Sequence, residues 1–411
     1  MDASDGPLHA ELRRHVRATL ADLLPSDWRG LGSLREGERA EFLVSWRKSL
    51  FDGGWLVPSW PEEYGGADMD PVAESIIAEE CIRVGLSHMP MPNDPFSFHL
   101  LGSTLLRWGT DEQKSRFLSD TVAGKIRWAQ GFSEPDAGSD LFALSTRARL
   151  EGDEWIIDGQ KIWQTAGTTA NWVFALVRTD PAAARSAGIS FMLIDLDQPG
   201  VEVRGIRNMA GEIEFAEIFF TEARTATSNV VGGVGNGARV ALTLLGFERS
   251  ASPVPGALAS EIELRRLVAL AGATGRKNDP EIRRRLARCY ATVHALRCVG
   301  MRILTAASES HAPGPESSIV KLVQSEYQQT VTELALDILG DGVLAPSGDA
   351  TIAALGPQPL GLDPLSSRAW VTDFLHARPG TVYGGASEVQ RNTIAEQVLG
   401  LPREPRTSES R

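Results

Sequence analysis

The run Trp128-Ala129-Gln130-Gly131-Phe132-Ser133-Glu134-Pro135-Asp136-Ala137-Gly138-Ser139-Asp140-Leu141 crowds serines, acids, proline and glycines into one short span. Such a mix continues neither a helix nor a regular strand. It reads as a loop leaving a strand, with backbone N–H groups and small hydroxyls turned toward a ligand. A second candidate is Glu248. Ala241, Leu244, Leu245 and Glu248 fall at i, i+3, i+4 and i+7, so this carboxylate shares an apolar helix face. Partial desolvation there raises a carboxylate toward a pKa useful to a proton-abstracting base. The competing reading is a surface or capping acid paired with a nearby arginine. Gly232–Gly237 lacks the Lys-Ser/Thr end and the βαβ setting of a phosphate loop, and reads as a turn into a helix. Cys81, Cys289 and Cys298 are too few and too badly spaced for a disulfide framework or a zinc site. No metal site is expected. Cys289 and Cys298 lie in a helical pattern and read as buried thiols in a reducing cytoplasm.

The elements that must position these groups come in three blocks. Helical spacing dominates from Leu8 to about Gly124. It includes a helix ending before Pro25, one over Arg39–Phe51, one from Pro71 to about Val84, one near Phe98–Trp108, and one capped by Thr110. Between Lys125 and Val231, short alternating runs predict strands over Thr146–Leu150, Trp155–Ile157, Trp172–Arg178, Ser190–Asp195, Val201–Ile206 and Glu214–Phe220. Their regular spacing suggests a small β-barrel or sandwich. Helical patterns return over Gly237–Ser252, Leu258–Ala271, Pro280–Ser310, Ser318–Leu339 and Val389–Leu399. Pro253 and Pro255 are expected to kink or end the first of these. Gly340–Pro364 reads as an irregular excursion and Arg403–Arg411 as a solvated tail.

The length of 411 residues suggests two or three domains. No apolar run is long enough for a membrane span, and the first 20 residues lack a secretory core. A net charge of −12 argues against general nucleic-acid binding. A small anionic ligand needs only a local basic patch.

Five separated motifs give the chain a resemblance to the acyl-CoA dehydrogenase family, in its actinobacterial fatty-acyl or sterol side-chain type. They are the opening run; Gly159-Gln160-Lys161-Ile162-Trp163-Gln164-Thr165; Asn229–Gly237; Gly246-Phe247-Glu248-Arg249; and Thr381-Val382-Tyr383-Gly384-Gly385-Ala386-Ser387-Glu388 through Asn392. The resemblance implies an α+β fold. An N-terminal α-helical domain (1–124) would precede a central β domain (125–236) and a C-terminal four-helix bundle (237–411). FAD would lie between the β domain and the bundle. The implied reaction is α,β-dehydrogenation of an acyl-CoA thioester to the trans-2-enoyl-CoA.

On the same resemblance, Gln130, Phe132 and Ser133 would meet the pyrimidine edge of the flavin. Trp163 would lie against its ring system, and Thr165 near N5. Arg276 would reach the FAD pyrophosphate of a neighbouring subunit, or is simply a solvated loop charge. Ser139 would approach the CoA portion, and Tyr383 and Gly384 would stand on the substrate side. The Gly384 N–H would face the thioester oxygen. Many members carry a catalytic Glu where this chain has Gly384, and a subset uses the position of Glu248 instead. Glu248 is therefore the expected base, with Arg249 buttressing the substrate site. Ala386, Glu388 and Asp337 stand where many members have groups that hold FAD. Implied partners are an acyl-CoA, an electron-transfer flavoprotein as acceptor, and further copies of the chain as a dimer or tetramer. The alternatives are an oxidase or desaturase of a carrier-bound acyl thioester, and a poorly catalytic subunit of an α₂β₂ enzyme.

Overall fold

The computed structural model describes residues 6–183, 186–250, 253–309, 314–348 and 363–403; the side chains of Glu36 and of residues 248–250 are also outside the description. Most of the expected irregular span Gly340–Pro364, and the expected tail after Arg403, lie outside these residues. The described chain falls into two compact units that divide at Ala251/Ser252.

The first unit starts with α1 (Pro7–Leu23), α2 (Glu36–Asp52) and α3 (Pro71–Arg83). A π-helical segment (Phe96–Gly102) runs into α4 (Ser103–Trp108), and α5 (Asp111–Val122) follows. Helix starts follow local chemistry. Asp70 caps α3 ahead of Pro71, accepting from Ala73 N at 2.8 Å. Thr110 and Gln113 form a reciprocal capping box on α5, at 3.2 and 3.1 Å.

The strands are β1 (Trp128–Gly131), β2 (Arg147–Glu151), β3 (Glu154–Thr165), β4 (Trp172–Arg178), β5 (Ile189–Asp195), β6 (Val201–Arg207), β7 (Ile213–Ala226) and β8 (Val230–Val231). They form one eight-stranded sheet in the order β6-β7-β3-β2-β4-β5-β8, with β1 paired to β4. Strand alternation sends Phe174 and Leu176 to a core shared with the N-terminal helices, through Phe98, Leu105, Phe117 and Trp128. The intervening Val173, Ala175 and Val177 enter a second core with Met192, Ile218, Phe220 and Trp155. Residues of both arms of the sheet meet in that second core, so the sheet curves over it. β3 runs well past the expected Trp155–Ile157. Gly159 and Lys161 break the apolar alternation, yet pairing with β7 continues to Thr165.

Helix α6 (Gly237–Ser250) also belongs to the first unit. It packs on β5, β4, α4 and the π segment through buried Val240, Ala241 and Leu244. The second unit holds α7 (Pro253–Ala273), α8 (Pro280–Ser308), α9 (Ser317–Leu339), α10 (Ser367–Ala377) and α11 (Ser387–Thr393). The expected break near Pro253 is the boundary between α6 and α7. α7, α8, α9 and α10 enclose a core of Leu267, Leu270, Val293, Val331, Leu334 and Trp370. α10 is an addition to the helices expected from spacing. Ser366 caps it, and Ala369, Trp370, Asp373 and Ala377 form its buried face. Cys289 is buried as expected, but Cys298 is exposed. The buried face of α8 is Cys289, Val293, Leu296 and Gly300, and position 298 points away from it. No helix among the described residues is long and apolar enough to cross a membrane.

Candidate functional site

β1 lies parallel to β4, with Gln130 opposite Phe174 and Gly131 opposite Ala175. A Cβ on Gly131 would sit 2.8 Å from Val173 Cγ2, so glycine lets the strands close here. The chain then turns sharply, with Glu134 and Ala137 exchanging backbone hydrogen bonds at 2.9 and 3.1 Å. The expected loop leaving a strand is therefore present, and Ser139 is exposed just beyond it.

The loop is fastened to the second motif. Ile162 N donates to Ser133 O at 3.0 Å. The Lys161 ammonium, fully buried, donates to Glu134 Oε1 at 2.7 Å and to Phe132 O at 3.3 Å. Glu134 also accepts from Ser145 N at 2.6 Å, Ser145 Oγ at 2.8 Å and Thr146 N at 3.0 Å. Burial acts to raise the Glu134 carboxyl, but Lys161 and the donors around it outweigh burial and hold it down at about 2. Burial lowers Lys161 against the pull of Glu134. Asn93 adds a second fastening. Its Nδ2 donates to Trp128 O and Ala166 O, both at 3.1 Å, and its Oδ1 accepts from Thr169 Oγ1 at 2.7 Å. It thus joins the start of β1 to the end of β3.

These fastenings set two strand segments side by side, Gln130–Ser133 and Ile162–Thr165. Gln130, Ser133 and Thr165 are half-buried, and none of their side chains hydrogen-bonds to a described residue. Trp163 sits in a β-bulge at φ +69° and is 57% exposed, with Phe215 edge-on at 5.9 Å. An outward tryptophan in left-handed backbone is costly, and such strain collects at ligand sites. Phe132 differs from its neighbours. Its ring is buried edge-on against Phe174 and Phe191, so it can offer a ligand its main chain alone.

Glu248 and Arg249 lie in the last turn of α6, one helical step beyond buried Leu244, and their side chains are outside the described residues. The other sequence candidates lie in the second unit. Arg276 Nη2 bonds Asp279 Oδ2 at 3.0 Å, and Nη1 donates to Asp337 O. Asp279 in turn caps α8. Arg276 is thus committed within its own chain and remains about 40% exposed. Tyr383 is partly exposed, and Gly384 and Gly385 take left-handed φ values of +61° and +88°. Their loop is held from two sides. Lys321 Nζ donates to Gly380 O at 3.0 Å and Gly385 O at 2.7 Å, and Gln390 Nε2 donates to Gly384 O at 2.8 Å. The Gly384 N–H makes no hydrogen bond to a described residue. Beside this loop, an open groove of about 560 Å³ is lined by Glu326, Val382, Ala386, Glu388 and Arg391, among others. Arg391 pairs with Glu326, and its Nη1 lies 3.9 Å from Glu388.

Sequence reasoning passed over Lys161, Glu134 and Asn93 as positioning residues. Lys161 becomes a signal only once β3 is known to run on to Thr165, because an inward lysine on a strand then requires a buried acid. Asn93 carried none, because its partners are distant in sequence.

Comparison with known proteins covers nearly the whole chain. The acyl-CoA dehydrogenase N-terminal domain matches residues 7–125, the middle domain 129–223 and the C-terminal domain 235–399. Acyl-CoA dehydrogenase IpdE1 of Mycobacterium tuberculosis is 38% identical over 399 residues, spanning 96% of this chain and 98% of that protein. A solved Tcur3481-Tcur3483 steroid ACAD is similar at a TM-score of 0.79 and 29% identity, covering 98% of this chain and 100% of that one. The ChsE4-ChsE5 complex of Mycobacterium tuberculosis is similar at 0.76 and 28%, covering 98% and 100%. With three domains matched in order on a helical, sheet and helical architecture, this chain belongs to the acyl-CoA dehydrogenase family of FAD-dependent oxidoreductases.

Proposed function

We propose that this protein removes two hydrogens across the Cα–Cβ bond of an acyl-CoA whose acyl group is steroid-derived, yielding the trans-2-enoyl-CoA. The observation that carries the reading is the edge where the chain leaving β1 lies beside the end of β3, joined by Ile162 N to Ser133 O. There Gln130, Ser133 and Thr165 keep unused hydrogen-bonding capacity beside the outward Trp163. This chemistry suits a flavin: an aromatic face for the ring, and hydroxyls and an amide for its polar edge. Gln130, Ser133, Trp163 and Thr165 would hold FAD, with Phe132 contributing main chain. Bound FAD supplies the acceptor for the β-hydride.

Glu248 removes the α-proton. A carboxylate is far too weak a base for an isolated C–H, so enolate charge on the thioester oxygen must be stabilised. The Gly384 N–H suits that task, since Gln390 holds the next peptide through Gly384 O and the N–H itself bonds no described residue. Tyr383 flanks the same loop, Ser139 meets the CoA portion, and Arg249 supports Glu248. The steroid class is supported by likeness to the Tcur3481-Tcur3483 steroid ACAD. The test is anaerobic mixing of the purified protein with short, branched, long and steroid acyl-CoAs. The wild type should bleach with the steroid thioester. Glu248→Gln should stay yellow and lose at least a thousandfold in the rate of bleaching. Bleaching at the wild-type rate by that variant removes Glu248 from the mechanism.

A second reading is a chain that needs a different partner chain to complete its FAD site. The acids of the groove beside Ala386 and Glu388 favour it, as does likeness to the ChsE4-ChsE5 complex. The chain purified alone would then lack flavin. One FAD per chain in a homo-oligomer excludes it.

A further inference from the structure

Glu74, His88 and His99 take no part in the site above. Glu74 lies in the first turn of α3, His88 follows that helix, and His99 lies in the π segment. Their ligating atoms all fall within 4.8 Å of one another. His88 is 5% exposed, and the side chains of His99 and Glu74 are each 20% exposed. The two rings meet edge to face at 6.1 Å, and a Glu74 oxygen lies 4.0 Å from His99 Nδ1.

Both imidazoles bury an Nε2 that has no hydrogen-bond partner among the described residues. A buried polar atom without a partner is uncommon, and two adjacent imidazoles that each carry one are an unusual concentration. The backbone adds a second peculiarity. A π segment is rare, and this one carries His99, whose Nδ1 lies 4.0 Å from Glu74 of α3. Convergence of two imidazoles and a carboxylate from three elements, with a buried unpartnered nitrogen on each ring, has one economical explanation: the three share an electrophile.

We propose that Glu74, His88 and His99 bind one divalent transition-metal ion of the zinc type, which clamps the π segment to α3. Two imidazoles and a carboxylate suit zinc, cobalt or nickel, whereas calcium and magnesium prefer oxygen alone. Tetrahedral ligands lie about 3.4 Å apart, so rotamer shifts of about 1 Å close the site. Three protein ligands leave a fourth position for water. The expected absence of a metal site rested on cysteine spacing, which says nothing about histidines eleven residues apart. The clamp would stiffen a segment that packs on both β1 and α6. It stands apart from the flavin chemistry and is read without turnover.

The full-length protein, stripped with a chelator, is titrated with Co²⁺ and then Zn²⁺. The wild type should take one Co²⁺ per chain, with the visible absorption of a nitrogen- and oxygen-ligated ion, and zinc should displace it. His88→Gln and His99→Gln should each weaken binding at least a hundredfold. Glu74→Gln, a milder change at a partly exposed position, should weaken it at least tenfold and keeps the test valid if a histidine variant misfolds. His294 and Cys298 offer a competing exposed pair, with Sγ 3.8 Å from Nε2. Cys298→Ser should leave binding unchanged. Absence of Co²⁺ binding in the wild type overturns the proposal, and so does a thiolate charge-transfer band that Cys298→Ser abolishes.

Discussion

Lys161 and Glu134 in the sheet unit, like Glu263 and Arg266 in the helical unit, are charges taken out of water, but they are surrounded very differently. Glu134 accepts four hydrogen bonds and Lys161 donates two. Glu263 is 1% exposed and accepts one hydrogen bond, from Gln328 Nε2 at 3.0 Å, leaving its Oε1 without a partner among the described residues. The Arg266 guanidinium lies 4.3 Å over the Trp370 ring, and none of its three nitrogens has a hydrogen-bond partner among those residues. The titration behaviour follows. Glu134 is held down at about 2, whereas burial lifts Glu263 to about 7 and carries Asp373 well above the ordinary range. Burial lowers Arg266 as well. A buried ion pair with every donor and acceptor engaged fixes the two strands it joins. Glu263 and Arg266, with an acceptor and donors left over among the described residues, instead make the stability of their helices depend on pH.

The contrast predicts its largest effect at Glu134. Glu134→Ala strands the Lys161 ammonium and should destabilise the fold by roughly 3–5 kcal/mol in a denaturant titration. It should also loosen the Phe132–Ser133 segment, so flavin retention falls with stability. Lys161→Met should cost less, because three donors to Glu134 remain. In the Glu134→Leu/Lys161→Met double variant, the losses should be much smaller than the sum of the single ones. Additive losses would mean that the pair does not act as a unit.

The two clusters should next show opposite pH slopes. Glu134 titrates below its ordinary 4.5, so its contribution is present above pH 4.5 and is lost as pH falls toward 2. Glu263 titrates above its ordinary 4.5, so the folded state favours its protonated form. Its contribution is present below pH 4.5 and is lost as pH rises through about 7. Glu263→Gln should therefore flatten the stability profile between pH 4.5 and 7. Above pH 7 it should stabilise the protein by about 3 kcal/mol at most, the value of that shift. An unchanged profile in this variant would place the slope elsewhere, with Asp373 the next group to replace.

The same contrast explains what could be read from sequence. Caps and helix starts were legible, because Asp70-Pro71, Thr110 with Gln113, and Asp279-Pro280 act within a few residues. The strands with clean alternation, Trp172–Arg178 above all, were legible for the same reason. The full length of β3 was not, since Gly159 and Lys161 look like interruptions until β7 and Glu134 are in place. α10 was overlooked beside a Gly/Pro-rich span, although Ser366 and its buried face were in plain view. At the candidate site, residue types and motifs pointed to Ser133, Trp163 and Thr165. Their adjacency depends on long-range hydrogen bonds from Asn93, Lys161 and Ile162, which no local pattern encodes.

Trp163 offers a test of intermediate size. At φ +69° a non-glycine residue carries strain of roughly 1–2 kcal/mol. Trp163→Gly removes that strain and an exposed ring at once. The variant should be about 1 kcal/mol more stable without flavin, yet bind FAD at least tenfold more weakly in a fluorescence titration. That opposition is the mark of a residue held strained for a ligand. A variant that loses stability and keeps its flavin affinity would make Trp163 a packing residue for Phe215.

The smallest effect on stability is expected at the groove of the helical unit. Arg391 is half-exposed, and so is Glu326, while Glu388 is largely in solvent. Pairs of this kind contribute about 0–1 kcal/mol. Glu388→Gln should accordingly leave the melting temperature nearly unchanged and reduce its salt dependence. Its consequence should appear in ligand affinity instead. If this groove receives the anionic dinucleotide end of FAD, removing a carboxylate from its wall should tighten FAD severalfold at low salt. The gain should shrink as screening rises toward physiological ionic strength. Unaltered affinity at every salt concentration would separate the groove from the cofactor and leave it as a surface for another chain.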